Sequence, residues 1–84
     1  MKYLSSYLNV YNTALVLIQR SGFHCEHNKH DDTWVAVRKE CRLQADNPVE
    51  LLGLVSVYEK RAGTDDGEYW WRIDSPDLLK LLDP

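Results

Sequence analysis

The chain has 84 residues, of which 44% are hydrophobic and 27% charged, and this balance predicts one small globular domain over residues 1–84. Ten Lys and Arg against 13 Asp and Glu give a formal net charge of -3. That charge argues against a protein whose main task is to neutralise nucleic-acid phosphates. The apolar fraction is too high for a natively disordered chain. We therefore expect a folded domain that does not bind nucleic acid.

The number of cysteines and the pattern of apolar residues indicate the cellular compartment in which the protein is expected. Cys25 and Cys41 are too few for the disulfide framework of a small secreted domain. Asn9 and Asn12 interrupt the apolar stretch that a secretory signal would need. The sequence also has no apolar run of about 18 residues, the length required to span a bilayer. These features predict a cytoplasmic protein without a membrane partner.

A first helix is predicted over residues 3–20, because apolar side chains recur there at steps of three and four. The two adjacent stripes consist of Leu4, Leu8, Tyr11, Leu15 and Ile18, and of Tyr3, Tyr7, Val10, Ala14 and Leu17. Gly22 is placed to end the helix, and Phe23 to pack back on its last turn. Because the apolar face is broad, we expect another helix or a second copy of the chain to cover part of it.

Three short segments with a period near two predict an antiparallel meander over 23–27, Thr33–Arg38 and Cys41–Ala45. A polar loop joins the first two segments, and Lys39 with Glu40 forms a two-residue turn between the second and third. A single helix over 34–45 is the competing assignment. The β-branched and aromatic residues of 33–37 favour strands.

A second helix is predicted over Pro48–Arg61. Asn47 suits the N-cap, Pro48 the first helical position, and Glu50 the capping-box position. Gly63 would close the helix.

Alternation over 68–73 predicts a fourth strand, and Ser75 to Asp77 cap a short helix over 78–82. The predicted fold is α+β, in the order α-β-β-β-α-β-α, with a mainly antiparallel four-stranded sheet packed against helices. Four leucines in the five terminal helix residues cannot all meet one neighbour. We therefore weigh homodimerisation, which lets a small domain bury more apolar surface.

The aromatic residues suggest a binding surface. In the predicted fourth strand, Trp70 and Arg72 share one side, and in the second strand Trp34 and Arg38 do. We expect these four residues to lie on a polar sheet face together with His24, Glu26, Arg42 and Gln44. Trp and Arg are frequent in binding hot spots. The alternative interpretation is that the rings fill gaps beneath a helix or lie flat across the sheet.

Residues 24–32 hold all three histidines, and they form the second candidate site. His24, Cys25, His27 and His30 are side chains that could hold a transition metal such as zinc. No spacing here matches a known zinc ligand set, so an exposed strand end and polar loop is the competing interpretation. A small-molecule sensor or enzyme would need an enclosed pocket, which a chain of this length rarely forms alone.

The function that the sequence favours is non-catalytic protein binding, as an accessory, regulatory or immunity-type module. We expect no cofactor and assign no catalytic residue. The partner is a second protein or another copy of the chain. Metal binding by residues 24–32 and small-molecule sensing remain the alternatives.

Overall fold

The computed structural model describes residues 1–63, 67–73 and 77–83. The element bounds are α1 Tyr11–Arg20, β1 His24–Asn28, β2 Thr33–Arg38, β3 Cys41–Ala45, α2 Pro48–Arg61 and α3 Leu78–Leu82, with 3-10 turns at Leu8–Val10 and Gly67–Tyr69. The predicted α+β class is confirmed, and the order within the described ranges is helix, three strands, helix, helix.

The strands form one antiparallel sheet in the order β1-β2-β3. Ala36, near the middle of β2, pairs with Cys25 on one side and with Leu43 on the other. The predicted meander is confirmed, with β1 starting one residue later than expected, and a helix over 34–45 does not form. Lys39 and Glu40 make the two-residue turn between β2 and β3, and Lys39 has a positive φ of 52°.

The hydrophobic core lies between one face of the sheet and helices α1 and α2. Its buried side chains are Ile18, Phe23, Ala36, Leu51 and Val55. The strand residues that pack against this cluster are Cys25, Trp34, Cys41, Leu43 and Ala45. The pairing register places all of them on the same side as Ala36. Both long helices therefore cover this one face.

Val35 lies on the opposite face of the sheet, away from α1 and α2. Glu26 of β1 and Gln44 of β3 are its direct cross-strand partners. Only 4% of Val35 is exposed. Since the two long helices lie on the other side, its direct neighbours on this face are polar residues, whose aliphatic stems can shield apolar surface from water.

Helix α1 is shorter than predicted, since it begins at Tyr11 rather than at residue 3. The 3-10 turn Leu8–Val10 precedes it, and no side chain caps the helix at Val10. Tyr3, Leu4 and Tyr7 are exposed. The periodic apolar pattern continues through these residues, but without a packing partner it does not extend the helix.

The predicted end of α1 is confirmed. Gly22 has a positive φ of 89°, its N–H donates to the carbonyl of Gln19, and the Phe23 N–H donates to the carbonyl of Ile18. This pair of bonds is the Schellman arrangement that closes many helices. Phe23 and Ile18 both belong to the core cluster, so the helix end also begins the packing of the sheet.

Helix α2 has the predicted bounds. The Asn47 side chain accepts a hydrogen bond of 2.9 Å from the backbone N–H of Glu50, and Pro48 occupies the first turn. The helix starts where β3 has just ended, and α2 packs against β3. It therefore runs back along the third strand.

The predicted fourth strand over 68–73 is wrong. Gly67–Tyr69 form a 3-10 turn, and Trp70 and Trp71 continue in a turn. The Arg72 N–H donates to the carbonyl of Tyr69 at 3.0 Å, which closes the chain on itself instead of leaving it extended. The sheet therefore ends at β3 in the described part of the chain.

The short helix α3 is confirmed over Leu78–Leu82. The Asp77 side chain caps it by accepting a hydrogen bond of 3.3 Å from the Lys80 N–H, whereas Ser75 lies outside the described residues. All four of its leucines are exposed, by 56–80%.

A glycine at position 39 tests the turn between β2 and β3. A left-handed backbone costs an L side chain about 1–2 kcal/mol, so Lys39→Gly is expected to raise the free energy of unfolding by about 0.5–1 kcal/mol. Glu40→Gly is the control, because φ at Glu40 is not positive, and it should lower stability. Urea unfolding measures both, and equal effects of the two variants would contradict the assigned strain.

Candidate functional site

The four side chains predicted to bind a partner do not share an exposed sheet face. Trp34 and Arg38 lie on the face that α1 and α2 cover, four residues and about 13 Å apart along β2. His24, Glu26, Arg42 and Gln44 lie on the opposite face. The expected common face is therefore wrong. Alternation shows which residues of one strand share a side, but the register decides which residues of neighbouring strands join them.

Trp34 packs at the end of the sheet near the β1–β2 loop. Its ring stacks on His27, with centroids 4.2 Å apart and an interplanar angle of 20°. His27 Nε2 is 2.8 Å from Asp32 Oδ1. Trp34 is half-buried and contacts the core cluster. This placement agrees with the alternative interpretation for this ring, namely a position beneath the helices.

Arg38 lies at the other end of β2 and is half-buried against its own chain. Its guanidinium carbon lies 4.4 Å from the Phe23 ring centroid and 5.5 Å from that of Tyr58. It donates a hydrogen bond to the carbonyl of Ser21 and approaches Glu59 to 3.9 Å. These contacts join the end of α1, the sheet and α2, so Arg38 has a structural role.

Tyr58 connects the sheet with the segment that follows α2. Its ring makes edge contacts with Phe23 at 6.1 Å and with Trp70 at 5.8 Å. The Arg61 side chain donates a hydrogen bond of 3.0 Å to the carbonyl of Arg72. Residues 67–73 therefore lie against the C-terminal end of α2. The Tyr58 ring is a neighbour of both Trp70 and the Arg38 guanidinium.

A groove of about 390 Å³ opens between β3, α2 and Trp70. Its lining consists of Glu40, Cys41, Arg42, Leu43, Tyr58, Ala62 and Trp70. Three of these residues, Cys41, Arg42 and Leu43, are consecutive in β3, and Glu40 belongs to the turn before it. Because neighbouring strand side chains point to opposite faces, the lining takes in residues from both faces of β3. The groove therefore borders the outer edge of β3, with which no other strand of the described residues pairs.

The pairing pattern shows which backbone groups this edge offers. Arg38 and Cys41 flank a two-residue turn, so they form a hydrogen-bonded pair, and such pairs alternate along the ladder. The N–H and C=O groups of Cys41, Leu43 and Ala45 therefore point to β2. Those of Arg42 and Gln44 point outward, where no strand of the described ranges pairs with them.

Cys41 is the one thiol in the groove lining. Burial raises the pKa of Cys41 above its usual value, and the Arg38 charge and a hydrogen bond with Tyr58 act in the opposite direction. Since burial is the largest influence, the thiol stays protonated at neutral pH. A raised pKa disfavours the thiolate, which is the nucleophilic form of cysteine.

The predicted metal ligands do not converge. His24 is on the sheet face opposite the helices, 3.2 Å from Glu26, whereas Cys25 and His27 lie on the helix side. His30 is exposed in the loop after β1. Within the described residues, no group of three or more His, Cys, Asp or Glu is arranged to hold a metal ion.

A row of polar side chains crosses the open sheet face, and the sequence interpretation did not identify it. Arg42 donates to Gln44 at 2.9 Å, Gln44 to Thr33 at 3.0 Å, and Thr33 to Asp31 at 2.6 Å. The bonds fix the outer side of β3 to β2. Period-two polarity in 33–44 was the signal that could have indicated this row.

Comparison of the chain with protein-family models, with curated proteins and with solved structures gave no match. The site must therefore be interpreted from its own geometry. None of the described helices is long and apolar enough to cross a membrane.

The structural role of Arg38 can be measured by removing its charge. Arg38→Met keeps an apolar stem but loses the cation–π and charged hydrogen-bond contacts, so the free energy of unfolding should fall by about 1–3 kcal/mol. Arg42→Met changes an exposed arginine and should cost less than about 0.5 kcal/mol. Denaturant unfolding of both variants gives the comparison. A loss at Arg42 as large as that at Arg38 would argue against the assignment.

The pKa of Cys41 predicts slow alkylation. At pH 8 its thiolate fraction should be below that of an ordinary cysteine, because burial raises its pKa. Tyr58→Phe removes a hydrogen bond that lowers the pKa, so alkylation by iodoacetamide at pH 8 should become slower still. Peptide mass spectrometry over a pH series measures the rate at Cys41, and Cys25 in the same sample is the internal reference. Faster reaction in Tyr58→Phe, with the fold intact, would contradict this account.

Proposed function

We propose that the chain is a non-catalytic protein-binding module that takes up an extended peptide segment along the free edge of β3. The observation that carries this proposal is the groove between β3, α2 and Trp70, which meets the strand edge along residues 41–43. An edge strand beside a helix is a recurring arrangement for binding a peptide as an added strand. An accessory, regulatory or immunity-type role would use such a surface.

In this proposal, backbone groups at the strand edge give affinity for the peptide, and side chains in the groove select its sequence. The outward N–H and C=O groups of Arg42 and Gln44 would bond to the peptide backbone, whatever its sequence. Alternate peptide side chains would enter the groove beside Leu43, Tyr58 and Trp70. These walls are aromatic and aliphatic, so we expect an apolar residue at the position that enters the groove.

The two edge strands of the sheet, β1 and β3, differ in how strongly their side chains disfavour the addition of another strand. The outer strand β1 carries polar side chains at four of its five positions, and charged or polar residues disfavour strand addition. Polar side chains occupy two of the five positions of β3, Arg42 and Gln44, and α2 provides a wall beside it. These differences favour β3 over β1 as the binding edge.

The groove also fits a peptide better than the alternatives from the sequence. It is open along a strand edge, whereas sites for small molecules enclose most of their ligand. Trp70, one of the predicted binding residues, lines the groove, and Arg38 supports it through Tyr58. Partner contacts by Trp34 and Arg72 stay predictions without a place in this groove.

Proline at position 44 tests the strand-addition proposal. Gln44→Pro removes an outward N–H that β2 does not use, so the fold should survive, since proline is tolerated on strand edges. Gln44→Ala is the matched control, because it removes the same side chain but keeps the N–H. Peptides selected from a random twelve-residue display library on the wild-type chain should bind Gln44→Ala within about threefold. They should bind Gln44→Pro at least about tenfold more weakly, the equivalent of about 1.4 kcal/mol.

Backbone NMR shifts locate the bound peptide. We expect the largest shift changes at the amides of Arg42 and Gln44, and small ones at β1. Selected peptides that bind Gln44→Pro as tightly as wild type, or a library that yields no binder, would overturn the proposal.

A further inference from the structure

A second groove, away from the β3 edge, lies between the N-terminal segment and the two long helices. It has a volume of about 440 Å³. Its lining consists of Leu4, Ser5, Ser6, Val10, Thr13, Ala14, Leu17, Val49 and Leu52. No lining residue is charged, and residues 3–19 of the chain contain no charged side chain at all. A surface without charge loses little hydration when it is covered.

The apolar side chains of this groove, and those next to its N-terminal lining residues in sequence, are exposed in the single chain. Tyr3, Leu4, Tyr7 and Leu8 are exposed by 71–88%, and Leu17 in the groove wall by 42%. Scattered apolar side chains are common on protein surfaces, but contiguous apolar patches mark interaction sites. The patch therefore needs an occupant that is itself apolar.

Helix α3 has the complementary surface. Leu78, Leu81 and Leu82 are spaced by three and four residues, so they share one side of the helix. Their own chain leaves them exposed. The helix is convex and the groove is concave, so two copies of the groove alone could not fill each other.

We propose that α3 of a second copy of this chain docks in the groove, and that the exchange is reciprocal. Two copies related by a two-fold axis would then each give one helix and receive one, which closes the assembly as a dimer. Lys80 is exposed on α3 and can keep its charge in water at the rim.

The sizes of the two surfaces support a dimer. A cavity of about 150 Å³ accepts a benzene-sized group, so a 440 Å³ groove has room for more than one leucine side chain. Stable interfaces bury about 800 Å² on each partner. Tyr3 and Tyr7 flank the lining residues 4–6 in sequence, and two buried tyrosines supply about 300–500 Å². Leu4, Leu8 and the leucines of α3 enlarge the surface further.

This inference does not depend on the proposed peptide site. The lining of the second groove shares no residue with the groove beside β3. Gln44→Pro should therefore leave the dimer intact, and loss of the dimer should leave peptide binding at β3 intact. The two proposals can fail separately.

Light scattering over a concentration series tests the assembly. Wild type should have twice the 9.8 kDa mass of the single chain. Leu17→Glu in the groove wall and Leu81→Glu on α3 should each weaken the dimer at least tenfold, because either places a charge in the apolar contact. Gln19→Glu and Lys80→Gln change exposed polar positions of the same helices and should stay dimeric. A wild-type chain that remains at 9.8 kDa at all concentrations would overturn the proposal.

Cysteine pairing identifies the occupant. The single variants Leu17→Cys and Leu81→Cys are mixed and oxidised, and the linked peptides are mapped by mass spectrometry to separate them from Cys25 and Cys41. A disulfide between position 17 of one variant and position 81 of the other supports docking between copies. A mixture that yields no such link would overturn it, and so would a double variant that closes the link within one chain. Binding of the monomer to phosphatidylcholine vesicles would assign the surface to lipid and overturn it as well.

Discussion

Ala36 lies at the centre of the middle strand, and its small side chain lets two helices reach the sheet at the same place. Ile18 from α1 and Leu51 and Val55 from α2 meet it in the core, and none of the four is more than 1% exposed. A larger residue at this point would hold the helices away from the strands, since cores are close-packed. The antiparallel run of α2 along β3, and with it the groove beside the strand edge, follows from this contact.

Tyr58 connects the core with the candidate site, because its ring contacts residues of both. One side of its environment is the Phe23 ring and the Arg38 guanidinium, and the other is Trp70. Trp70 therefore forms part of the groove wall, and residues 67–73 do not form a fourth strand. Had they paired with β3, the outward groups of Arg42 and Gln44 would be occupied, and the sheet would offer no edge beside α2.

Local chemistry made the end of α1 and the start of α2 predictable, whereas the site depended on contacts distant in sequence. Asn47 and Gly22 fix the start of α2 and the end of α1 through hydrogen bonds within five residues. The alternation of side-chain directions along β2 was equally predictable. It could not show that Trp34 joins the helix side, because that depends on the register with β1 and β3. The aromatic residues of 68–73 satisfied a strand pattern, yet their contacts with α2 decided their conformation.

Val35 is buried on the sheet face opposite α1 and α2, with 4% of it exposed. Its direct cross-strand neighbours there, Glu26 and Gln44, are polar residues with aliphatic stems. Such stems can exclude water from an apolar side chain beside them. Shortening them would wet a valine in the middle strand, so positions that look freely variable by polarity are constrained by the length of their aliphatic stems.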